Sequence, residues 1–175
     1  MPTIPNFTPD KQDDPNSCWA CAGRCISNYF VINNRPKTPA FNSDQEFAFA
    51  WAKITNSGKN SDKWQISIQQ SASGALSDLG YSNYTFDTPF PTVEEITEAI
   101  NEPIPLLAII AANKPLNGQA NTGAQNGHWV VIVGISGNGA TIDVFDPDNG
   151  KINTVAYDAE KYNGAYWQNT SYFQF

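Results

Sequence analysis

Thiol and imidazole chemistry in this chain rests on four residues: Cys18, Cys21, Cys25 and the single histidine, His128. A cysteine nucleophile needs a lowered thiol pKa, an imidazole partner, a group that orients the imidazole, and donors for the developing oxyanion. The sequence offers one candidate for each. Cys18 follows Ser17 at the first turn of an apolar helix, where the macrodipole and free N–H groups favour a thiolate. His128 opens a Val/Ile-rich strand, and Asp146 closes the next one at Asp146-Pro147. Two antiparallel strands joined by the Gly137-Asn138-Gly139 turn bring the start of the first near the end of the second. Asp146 can then hold one ring nitrogen while the other faces Cys18. Gln12, six positions before Cys18, can aim its side-chain amide at the oxyanion beside the Cys18 backbone N–H. The chemistry this implies is acyl transfer, with His128 protonating the leaving amine and then activating water.

Rival assignments surround each candidate. Asp143 and Asp148 lie near Asp146, but Asp143 and Asp146 differ by three positions, so strand alternation turns them to opposite faces. Cys21 and Cys25 are expected to pack in the core, because cysteines this close on one helix do not bridge one another comfortably. Their i, i+3, i+7 spacing also allows a metal reading. A zinc site usually wants four ligands and a cluster motif usually sits in a loop, so no metal and no cofactor are expected. Trp51, Trp64, Tyr81, Tyr84, Trp129 and Trp167 can line a cleft, but single aromatics are more often core residues.

Taken together, Gln12-x5-Cys18-Trp19-Ala20, Gly127-His128-Trp129-Val130-Val131-Ile132-Val133-Gly134 and Asp146-Pro147 resemble the papain-like cysteine peptidases. The Gln-to-Cys spacing and the Cys-Trp-Ala triplet are similar to papain itself. The small size and the Asp-Pro pair are closer to the compact bacterial C39-like and AvrRpt2-like branches. The resemblance covers about a third of the chain and leaves residues 35–105 unaligned. It implies Cys18 as nucleophile, His128 as general base and acid, Asp146 as orienting residue and Gln12 as oxyanion donor. It implies peptide-bond cleavage through a thioester. Papain has an asparagine where Asp146 stands, and Cys21 and Cys25 do not take the disulfide roles of the secreted papain enzymes.

The elements that must position these groups are legible in outline. Residues 1–17 read as an irregular leader. Ser17 is a suitable N-cap for a helix running from Cys18 past Phe30, with Arg24, Ser27 and Asn28 as its polar positions, and Asn33-Asn34-Arg35-Pro36 ends it. Ser43 and Glu46, then Thr92 and Glu95, have capping-box spacing before apolar runs. Lys63 to Leu79 is expected to be helical with breaks. Leu106–Ala112, His128–Ile135, Ala140–Phe145 and Lys151–Tyr157 read as strands, Tyr166–Phe175 as one more, and Asn113–Gly127 as a flexible loop. The expected fold class is α+β: one papain-like domain over residues 1–175. A helical half (about 18–102) with a buried central helix packs on an antiparallel meander (about 105–175).

Composition sets the remaining limits. The chain has 175 residues, 41% hydrophobic and 13% aromatic, which suits a folded globule. Its formal net charge of -7 argues against nucleic-acid binding. No apolar run reaches the roughly 18 residues that span a bilayer, so no membrane insertion is expected. No basic, apolar leader is visible at the start of the sequence, which leaves the compartment open between a cytoplasmic protein, a mature form, and one exported or injected by a signal-independent route as effectors are. The expected partner is a peptide or protein substrate, and the expected state a monomer. An amidase, a deamidase, an acyltransferase and an inactive peptide-binding domain remain open alternatives.

Overall fold

The computed structural model describes residues 3–55, 70–115 and 127–174. Four α-helices and seven strands are found among them: α1 (Cys18–Ile32), α2 (Asp44–Thr55), α3 (Ala72–Asp78), β1 (Ser82–Thr85), α4 (Val93–Asn101), β2 (Leu106–Ala111), β3 (His128–Ser136), β4 (Thr141–Asp146), β5 (Lys151–Ala156), β6 (Lys161–Tyr162) and β7 (Ala165–Gln174). The class is α+β, as expected. The anticipated helical stretch before α3 falls partly on residues 63–69, and most of the anticipated 113–127 loop falls on residues 116–126. Both pieces lie outside the described residues. Among the described residues, no helix is long and apolar enough to cross a membrane.

The core lies around α1. Trp19, Ala20, Cys21, Ala22, Ile26 and Phe30 are completely buried. Arg24 and Ser27 are buried too, although polar residues are expected to mark a solvated face. Each has partners that offset the loss of water. Arg24 meets two carboxylates, and the Ser27 hydroxyl lies 2.7 Å from Thr38 Oγ1 and 3.1 Å from Tyr81 Oη. Gly23 lets α2 approach closely, since a Cβ there would lie 2.5 Å from Phe47 Cζ. At α4 the Thr92–Glu95 capping box forms in both directions. At α2, Ser43 Oγ accepts the Glu46 N–H, but the Glu46 carboxylate turns to the Asn42 N–H.

The sheet departs from a simple meander. Its order is β1-β7-β2-β3-β4-β5, antiparallel throughout, with β6 paired to β7. Strands β2 to β5 follow one another as anticipated. The last strand then crosses back and inserts between β1 and β2. Six apolar residues in a row, Leu106-Leu107-Ala108-Ile109-Ile110-Ala111, make β2 suited to such an interior position.

Candidate active site

Cys18 is the first residue of α1, His128 the first of β3 and Asp146 the last of β4. Helix α1 packs directly on β3. His128 Nε2 donates to Asp146 Oδ1 at 2.6 Å. With Nε2 engaged there, the other ring nitrogen is the one that remains for the Cys18 thiol. Cys18 Sγ lies 4.0 Å from the carbonyl oxygen of Gly127, the residue before the histidine. The Cys18 residue is only 2% exposed and the His128 side chain 26%, so the pair presents its imidazole to solvent.

The meeting of His128 and Asp146 depends on a defect in the β3–β4 ladder. Near the turn the register runs Ser136↔Thr141, Ile135↔Ile142 and Gly134↔Asp143. It then shifts by one to Ile132↔Val144 and Val131↔Phe145, leaving Val133 as an extra residue on β3. Continued from Val131↔Phe145, the register sets Asp146 opposite Val130. That is an even step from His128, so the two side chains share a face as diagonal neighbours. Without the extra residue Asp146 would face Val131 and point away from the imidazole. The bulge is held by Ile4, whose N–H donates to the Val133 carbonyl at 2.8 Å, and by a bridge between Thr3 and Gly134. A side chain at Gly134 would have to displace Asp143, because a Cβ would lie 2.6 Å from Asp143 Oδ2.

Asp146 is buried and fully occupied. Its Oδ1 also accepts the Asp148 N–H at 3.1 Å, and its Oδ2 accepts the Tyr162 hydroxyl at 3.4 Å. Burial raises the pKa of this carboxyl, and the bond and charge of His128 more than reverse that, so the net shift is downward. For His128, burial disfavours the imidazolium. The hydrogen bonds to Asp146 and Cys18 and their charges outweigh burial and push its pKa up to about 10. Asp143 is spent elsewhere, on the Thr154 hydroxyl at 2.6 Å and on Thr3 at 3.3 Å.

Gln12 is buried in the loop before α1, and its backbone N–H donates to the Pro147 carbonyl at 3.0 Å. This ties it to the residue that follows Asp146. Its Oε1 is enclosed with no hydrogen-bond partner among the described residues. An amide oxygen only accepts, so a hydrogen bond from Gln12 to an oxyanion must come from its Nε2.

Cys21 and Cys25 are free, buried thiols in the core cluster. Hydrogen bonding to Cys25 together with burial drives the Cys21 pKa strongly upward, the opposite of an activated thiol. Among the described residues, no group of three or more His, Cys, Asp or Glu is placed to hold a metal ion. Sequence reasoning missed Tyr162, Asp44 and Arg24. Ser17 stands at the N-cap position but makes no capping bond; its hydroxyl turns to Asp44 Oδ2 at 2.8 Å.

The model of the family described as Peptidase_C39 like matches residues 4–174. A search of curated proteins finds no match.

Proposed function

Because the chain belongs to the C39-like family of papain-like cysteine peptidases, we propose that Cys18, His128 and Asp146 form its catalytic triad and that it hydrolyses peptide bonds through a thioester. The observation that carries this reading is the 2.6 Å bond from His128 Nε2 to Asp146, which leaves the opposite ring nitrogen to Cys18. Cys18 attacks the scissile carbonyl as a thiolate paired with the imidazolium. The oxyanion is met by the Gln12 amide and by the Cys18 backbone N–H, which lies in the first helical turn and has no intrahelical partner. His128, protonated across neutral pH, gives its proton to the leaving amine. It then takes a proton from the water that opens the thioester. Asp146 fixes the ring orientation and stabilises its positive charge without reacting.

The test is cleavage of a proteome-derived peptide library, read by mass spectrometry. Wild-type protein is expected to generate new termini, and Cys18→Ala to generate none. Iodoacetamide at neutral pH is expected to label Cys18 well before Cys21 and Cys25, with the preference lost in His128→Ala. Uniform slow labelling of all three cysteines, with no cleavage, would point to an inert peptide-binding domain. Release of ammonia or transfer to an added amine, without new peptide termini, would identify a deamidase or an acyltransferase.

A further inference from the structure

Among the described residues, Asp44 is the most enclosed carboxylate outside the proposed triad, with none of its surface exposed. Its Oδ1 accepts Arg24 Nε at 2.9 Å. Its Oδ2 accepts the Asp13 N–H and meets the Ser17 hydroxyl, both at 2.8 Å. Its own N–H returns a bond to Asp13 Oδ2 at 2.9 Å, so Asp13 and Asp44 are joined twice. Ser17 also takes the Asp14 N–H at 3.1 Å. Arg24 reaches past Asp44 to Asp10 Oδ2 at 2.8 Å, and Cys21 Sγ lies 3.3 Å from the Asp10 carbonyl. These bonds converge on residues 10–17, the segment that contains Gln12 and ends against Cys18. Asp13 adjoins Gln12, and Ser17 adjoins Cys18. The Asp44 carboxylate therefore ties together the two neighbours of the groups assigned to the oxyanion.

A buried ion pair is a poor device for stability alone, since the desolvation of both charges consumes most of what their attraction returns. Burial raises the pKa of Asp44, while its donors and Arg24 pull it the other way. What such a pair does supply is fixed geometry. We propose that Asp44, clamped by Arg24, is a positioning residue for the oxyanion hole, holding Gln12 at a set offset from the Cys18 sulfur. This rests on the peptidase reading above and adds to it a residue on α2 that touches no substrate.

The test is a double-mutant cycle with a peptide substrate taken from the library. Gln12→Ala is expected to lower kcat by about 10²–10³-fold. Asp44→Asn and Asp13→Ala are each expected to lower kcat by roughly tenfold, with KM within about twofold of wild type. The rate at which iodoacetamide alkylates Cys18, a reaction that forms no oxyanion, should be unchanged. In the Gln12→Ala background neither change should lower kcat further, because the group they position is gone. An equal loss in both backgrounds overturns the proposal, as does an alkylation rate that falls in step with kcat. Asp13 is exposed, so if Asp44→Asn does not fold, Asp13→Ala decides alone. A Gln12→Ala enzyme with full kcat overturns the proposal and leaves the triad standing. Activity surviving Cys18→Ala strikes the peptidase reading itself.

Discussion

His128 keeps its proton because two neighbours act together against burial. Its pKa of about 10 makes the imidazolium the resting form at neutral pH, as a donor to a leaving amine must be. In Asp146→Asn the negative charge is gone and the imidazolium is less favoured. The basic limb of kcat/KM is therefore expected to move from near 10 towards lower pH, with kcat down by about 10²–10⁴-fold. The same shift links to stability. A histidine whose folded pKa exceeds its unfolded value, roughly 6.5, contributes stability that is fully present below the unfolded value. That contribution is lost as pH rises through about 10. Thermal unfolding followed between pH 6 and 10 should show this loss in the wild type and a shallower one in His128→Gln. Cys18, His128 and Asp146 were legible in the sequence because each sits where a Ser, Gly or Pro signal marks the end of an element. Asp44 and Arg24 were not. Their pairing joins two helices twenty positions apart, and no local pattern announces which carboxylate a buried guanidinium will find.

At the level of elements, one surplus residue in β3 decides which way Asp146 points. The strands themselves follow from the Val/Ile periodicity and the turn sequences between them. The slip at Val133 does not, because Val130-Val131-Ile132-Val133 contains no polar residue to mark the phase. Strands β1 and β6 also left no signal: β1 is four exposed residues and β6 only two. Gly134→Ala tests the bulge. The added methyl meets Asp143 and is expected to destabilise the fold by about 1–3 kcal/mol in chemical denaturation. Because the strain falls where the register shifts, activity measured well below the unfolding midpoint should fall as well. A stability loss with unchanged kcat/KM would mean that the register near His128 does not respond to Gly134. Breaking the link between α1 and α2 has a different signature. Arg24→Met leaves the Asp44 charge buried and unpaired, and should cost about 3–5 kcal/mol.

Over the whole molecule, the sheet is closed by the strand that comes last. Strand β7 separates β1 from β2, and its Trp167 is 1% exposed. The Trp167 ring stacks on Phe90 at 4.1 Å with the planes 12° apart, and its indole N–H donates to the Asp158 carbonyl at 2.9 Å. Trp167→Ala should cost about 3–5 kcal/mol, measured from the denaturation midpoint, although the residue lies on neither active-site strand. Alternation of aromatic and polar residues identified β7 as a strand. Its place in the middle was not legible, since position in a sheet depends on which apolar edges remain unpaired, a property of the assembled chain. The order of synthesis follows from that placement. While a ribosome is still translating residues 165–174, β2 has a bare apolar border, a ready template for aggregation. The nascent polypeptide therefore emerges with Cys18 and His128 already made, and the sheet that aligns them is complete only once residues 165–174 have followed.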